Sequence, residues 1–197
     1  MGAMAPCPDL SCKEAAMRHR QSTCLLTFVL MLPLLAMPAM AGAEEIKARL
    51  IGFQEVPSVA TVARGEFTAR ITDDDQSIDY ELEFNGLQAP VTQSHIHVAQ
   101  KAVNGSIVVW LCGTASNPGP AGTQTCPQSG TISGTITPAN VVAGSITSQQ
   151  LLAGNLAEVI RAIRGGVAYA NVHTTLSPGG EIRGQIRASE DSEGSDR

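Results

Sequence analysis

Tyr169–Ala170–Asn171–Val172–His173–Thr174–Thr175–Leu176–Ser177–Pro178–Gly179–Gly180–Glu181–Ile182–Arg183–Gly184–Gln185–Ile186 alternates polar and apolar residues on both sides of a Ser-Pro-Gly-Gly turn. Proline presets φ at the start of such a turn, and glycine accepts the positive φ that follows. The stretch therefore reads as two antiparallel strands. Alternation puts Tyr169, Asn171, His173 and Thr175 on one face of the first strand. On the second, Glu181, Arg183 and Gln185 share a face opposite Ile182, Gly184 and Ile186. A strand face carrying His, Asn, Glu and Arg is either a wet outer surface or a site.

Working outward, the same period recurs. Glu44–Phe53 places Ile46, Ala48 and Leu50 on one side, and Pro57 then breaks the ladder within Gln54–Val59. Val62–Thr72 turns Phe67, Ala69 and Ile71 inward and Glu66, Thr68 and Arg70 outward. Ser77–Phe84 opposes Ile78, Tyr80, Leu82 and Phe84 to Asp79, Glu81 and Glu83, so the two segments predict a hairpin with one solvated face. Its turn, Asp73–Gln76, lacks the spaced ligands of a calcium loop. Thr92–Val98 carries His95 and His97 on one face, and Asn104–Gly105 signals a hairpin before the apolar run Ser106–Leu111. Residues 113–128 are loop by composition, and Gly130–Thr137 alternates again.

One segment changes period. Asn155 and Glu158 have the spacing of a capping box. Leu156, Val159, Ile160 and Ile163 form a helical stripe, ended by Arg161, Arg164 and Gly165–Gly166. Seven to eight short strands with one late amphipathic helix predict a mainly β fold, an antiparallel Greek-key sandwich or barrel. There is no internal repeat.

The N-terminus reads differently. Arg18, His19 and Arg20 precede an apolar run from Cys24 to Leu35, and small residues follow at Ala39, Ala41, Gly42 and Ala43. This is the layout of a cleaved secretory signal, with translation starting at Met1 or Met17; the run is short for a membrane anchor. Residues 1–43 are thus expected to be removed, leaving a domain over 44–187 and an acidic, disordered tail over 188–197. The expected location is the periplasm or beyond. Cys7, Cys12 and Cys24 leave with the signal. Cys112 and Cys126 remain as an even pair in an oxidising compartment, so a disulfide is expected, contributing roughly 3 kcal/mol. The net charge of −5, without clustered basic residues, argues against nucleic acid or an anionic membrane as partner. A protein or glycan partner is left open, as is the oligomeric state.

Four stretches together resemble the CHRD domain, a family named for its repeats in chordin: Leu50–Pro57, Ile78–Leu82, His95–His97 and Tyr169–Ile186. The resemblance spans almost the whole expected mature chain. It implies an exported domain but no general reaction. A looser likeness is to copper–zinc superoxide dismutase, another disulfide-tied Greek-key barrel with an HxH strand. It reaches only His95, His97 and His173, with no bridging histidine, zinc-loop cluster or electrostatic-loop arginine to match.

Histidines two apart on a strand point the same way with Cα atoms roughly 6.5 Å apart, so both can reach one ion. A third imidazole from His173 would complete a three-nitrogen set suited to Cu(II) or Zn(II), copper the tighter. Glu181 and Arg183 are candidate supporting residues and Glu55 a weaker one. The alternative is a buried hydrogen-bond network that fixes strand register. Catalysis by other chemistry has no motif: Ser94 and Ser177 lack a nucleophile elbow, and no glycine-rich phosphate loop precedes a helix.

Overall fold

A computed structural model describes residues 43–189. The signal reading therefore lies outside the described residues up to residue 42, and the tail reading beyond Ser189. Nine strands and one helix follow in the order β1 (Glu44–Ile51), β2 (Arg64–Ile71), β3 (Ile78–Asn85), β4 (Val91–Val98), β5 (Ser106–Cys112), β6 (Gly130–Ile136), α1 (Leu156–Arg164), β7 (Ala168–Thr174), β8 (Ile182–Gln185) and β9 (Arg187–Ala188). Eight of them form one antiparallel sheet in the order β5-β4-β7-β8-β1-β2-β3-β6, and β9 pairs with β1 beside β8. Ala188, read from sequence as the first tail residue, is thus a strand partner of Ile46.

The sheet curls until its two end strands nearly meet, the barrel-like solution that leaves little open edge. Across the remaining seam Tyr80 donates its hydroxyl to the Leu111 carbonyl at 3.2 Å, and Val109 bridges Val141. Cys112 and Cys126 are disulfide-bonded there, as the even pair predicts. Inside lie the residues that alternation turned inward, among them Leu50, Phe67, Ile71, Ile78, Leu82, Phe84, Ile96, Ala170, Val172 and Ile182. The helix adds Leu156, Val159, Ile160 and Ile163 to this core. Its start is capped by Asn155, whose side chain accepts the Glu158 amide at 3.3 Å, and its stop falls at Gly166, φ +66°. Arg164 at its last turn holds Asp75 through both guanidinium ends, at 2.8 and 2.7 Å, and Glu44 at 2.7 Å.

Candidate metal centre

The site lies on the outer face of the sheet, away from the core. Register sets His95, Asn171 and Arg183 in one row across β4, β7 and β8, and His97, Tyr169 and Gln185 in the next. His173 follows one alternation beyond Asn171, opposite Gln93. Two shifts in the β4–β5 register, at Ser94/His95 and Ile96/His97, set Trp110 opposite His95. Bulges of this kind re-aim side chains beside functional sites. Apart from Gln93 and Trp110, which are half-buried, every one of these side chains is buried.

Burial on an outer face requires a cover, and two loops supply it. Arg183, the bulkiest fully buried side chain, donates to the carbonyls of Gln100 (3.2 Å) and Val103 (2.9 Å) and to Asn104 Oδ1 (3.3 Å). Gln185 Nε2 donates to the carbonyls of Ala99 (3.0 Å) and Gly166 (2.9 Å). Asn104 in turn donates to the Val56 carbonyl at 3.1 Å, joining the 99–105 loop to the segment after β1. The guanidinium carbon of Arg183 lies 3.3 Å from the centre of the Tyr169 ring, and the His97 ring stacks on Tyr169 at 4.6 Å. Trp110 meets His95 edge-on at 4.3 Å.

Gly105 serves this cover by close approach. A Cβ there would lie 1.9 Å from the Val98 carbonyl oxygen. The positive φ of the loop falls on Ala102, +60°, rather than on the Asn104–Gly105 pair that signalled a turn in sequence.

The three imidazoles converge as their sequence positions suggested. Each offers one ligand nitrogen, and these nitrogens lie within 4.8 Å of one another. His97 Nδ1 contacts the Gly105 carbonyl at 3.0 Å and His173 Nδ1 the Pro178 carbonyl at 2.9 Å. A carbonyl only accepts, so both rings carry their proton on Nδ1 and keep a lone pair on Nε2. Backbone carbonyls commonly fix metal-binding histidines in this way. His95 Nδ1 and His173 Nε2 are 3.2 Å apart. Without an ion His95 donates there; two nitrogens bound to one tetrahedral zinc would stand at about the same separation, ~3.3 Å.

Burial pushes all three rings down, His95 to about 2 and His97 to about 4, so they are neutral at ordinary pH. Glu55 is pushed up to about 7, also by burial, with the Arg183 charge opposing. Its carboxyl rests against Gly180, φ +124°, where a Cβ would stand 2.2 Å from Oε1. Asn171 lies beside both Glu55 and His97. Five buried atoms still find no hydrogen-bond partner in the protein: His95 Nε2, His97 Nε2, Asn171 Oδ1, Glu55 Oε1 and Gln185 Oε1. With the ion-free tautomers above, the two histidine nitrogens and the two amide oxygens are acceptors, and Glu55 Oε1 is one when ionised. Such a set suits a cation or another donor.

Glu181 is placed elsewhere. Its oxygens accept from Thr61 Oγ1 (2.9 Å), the Gln88 amide (2.9 Å) and Thr174 Oγ1 (2.8 Å). Thr174 leaves β7 on the face opposite His173, so this carboxylate ties loops behind the site. Arg183 does join the histidine face, as the clamp on the cover. Tyr169, Asn171 and Gln185 are site residues that sequence reasoning did not single out. Their shared strand face with His173 and Arg183 was the available signal.

The description CHRD domain matches residues 46–186, most of the chain, and the protein therefore belongs to the CHRD domain family. No curated protein and no solved structure matches it. All four stretches that carried the resemblance contribute to the sheet or its covering loops. Glu55 of the first meets Gly180 of the last, beside the His95–His97 strand.

Proposed function

From CHRD membership as premise, we propose that this protein is an exported, non-catalytic domain that binds one copper or zinc ion through His95, His97 and His173. The observation that carries the reading is the set of three buried, neutral imidazoles whose ligand nitrogens fall within 4.8 Å. Two of them are oriented from behind by backbone carbonyls. In this reading the ion supplies a fixed positive charge where unpaired acceptors cluster. The chain's own residues orient the rings, exclude water and hold the covering loops. Export is supported by the charged, apolar and small-residue order of residues 18–43 and by the Cys112–Cys126 disulfide. Among the described residues no helix is long and apolar enough to cross a membrane.

A second reading keeps the histidines as a purely structural network. The 3.2 Å His95–His173 contact and the two carbonyl bonds favour it, since they already join β4, β7 and both flanking loops. Titration of copper and zinc into metal-free protein and into His173→Ala, with a melting curve for each, separates the two. Metal binding predicts saturable uptake at one ion per chain, lost in the variant while the fold persists. The network predicts no uptake by the parent and a lowered melting temperature in the variant. Elemental analysis of untagged protein from the periplasm would identify the resident ion.

A further inference from the structure

The charge balance around the histidines is more specific than their number. Granting the metal reading above, we infer that the chamber is built for a soft monovalent cation, copper as Cu(I), in preference to a divalent ion.

The ligand set is uncharged. Among the described residues the metal-capable group contains His95, His97 and His173 and no carboxylate. Neither of the two nearby acids belongs to that group. Glu181 has its oxygens filled by Thr61, Gln88 and Thr174, on the far face of β7. Glu55 lies outside the three-nitrogen group, packed against Gly180 with Asn171 beside it, and burial disfavours its charged form. The positive charges are Arg183, in the same buried layer, and Lys101 on the covering loop, which is exposed. Arg183 and His97 both stack on the Tyr169 ring, at 3.3 and 4.6 Å, so an ion at His97 would meet the guanidinium field.

Burying a charge costs in proportion to its square, so a divalent ion carries about four times the penalty of a monovalent one. In water-filled or acidic sites a carboxylate or hydroxide offsets the difference. Here neutral imidazoles and a neighbouring guanidinium offer no such offset. Coordination number points the same way. Cu(I) is satisfied by three donors, whereas Zn(II) takes four and Cu(II) a tetragonal set. Sodium and potassium are monovalent too, but they seek oxygen rather than imidazole nitrogen. Cu(I) fits the charge, the donors and the count without a fourth ligand. Its binding needs no redox step by the protein.

The test is an anaerobic titration of the metal-free mature protein with Cu(I) held reduced by ascorbate, against a Cu(I) chelator. Parallel titrations with Zn(II) and Cu(II) use their own chelators. The emission of Trp110, the only tryptophan in the chain and in contact with His95, reports occupancy. Cu(I) should bind at least about tenfold more tightly than either divalent ion. Asn171→Asp, which sets a carboxylate at the centre of the chamber, should narrow that ratio about tenfold or more. Divalent binding as tight as Cu(I) would overturn the inference and leave the metal reading standing. Binding of no ion at all would overturn both.

Discussion

The barrel has two outer faces, and they obey opposite rules. On β2 and β3 the outward residues Glu66, Thr68, Arg70, Asp79, Glu81 and Glu83 are exposed, and hydrophobic alternation alone explains them. On β4, β7 and β8 the outward residues are equally polar, yet β7 and β8 are buried along their whole length. The first face meets water directly. The second is roofed by loops that Arg183, Gln185 and Asn104 hold in place. Polarity on a strand therefore identifies a surface only when nothing covers it. A buried polar face must satisfy its groups internally or through a guest.

The largest expected effect separates arginines on the two faces. Arg183→Leu leaves the Val103 carbonyl without its arginine donor, takes one of two donors from the Gln100 carbonyl, which keeps the Val103 amide, and unties the 99–105 loop. We expect a loss of about 3–5 kcal/mol in denaturant unfolding. Arg70→Ala on the solvated face should change stability by less than about 0.5 kcal/mol. Similar costs for the two would mean that the roofed face is not closed.

Protonation should then discriminate the faces. The histidines are held below their ordinary pKa by burial, so the unfolded chain binds protons first as pH falls below about 6.5. Their stabilising contribution is intact above that value and is lost toward about 4 at His97 and about 2 at His95. Glu55 works in the other direction. Its folded pKa of about 7 favours the folded state below 4.5 and ceases to do so as pH rises through 7. Three histidines outweigh one carboxyl, so metal-free protein should lose up to about 3 kcal/mol per pH unit between 6.5 and 4.5, at about 1.4 per net proton. Denaturation midpoints at pH 7.5 and 5.0 measure this. An unchanged midpoint would place the rings in water.

Two neighbouring glycines provide a finer comparison. Gly180 has φ +124° and abuts the Glu55 carboxyl, whereas a Cβ on Gly179 would meet nothing within 4 Å. Gly180→Ala should cost about 2–3 kcal/mol, from the clash and the backbone together, and Gly179→Ala less than about 0.5. Adding Glu55→Ala to Gly180→Ala should recover the part due to the clash. No recovery would assign the whole cost to φ.

These contrasts mark what the sequence could and could not disclose. Alternation disclosed the strands, the 3.6-residue stripe disclosed the helix, and an even cysteine count in the expected mature chain disclosed the bridge. HxH and a distant histidine in polar strands suggested a cluster, and it is present. Register across β4, β7 and β8 is a long-range property that local pattern does not encode. It sets Asn171 between His95 and Arg183 and sends Glu181 behind the site. The roof was equally hidden, because residues 99–105 look like any polar turn until Arg183 is seen to hold their carbonyls.

The smallest expected effect belongs to the solvated face and runs toward greater stability. Glu66 and Glu83 are direct cross-strand partners on β2 and β3, and Glu83 faces Thr131 on β6. Like charges directly opposite one another are unfavourable, while Thr–Thr pairs and β-branched residues suit an exposed strand. Glu83→Thr removes the repulsion and sets threonine opposite Thr131. It should raise stability by about 0.2–1 kcal/mol, and the gain should shrink in high salt as the original repulsion is screened. The contrast with the roofed face is one of sign: there, removing a side chain that holds the cover, Arg183 above all, should cost stability. If Glu83→Thr destabilises the protein by more than about 1 kcal/mol, this strand face has a partner of its own, and the division between open and roofed halves fails.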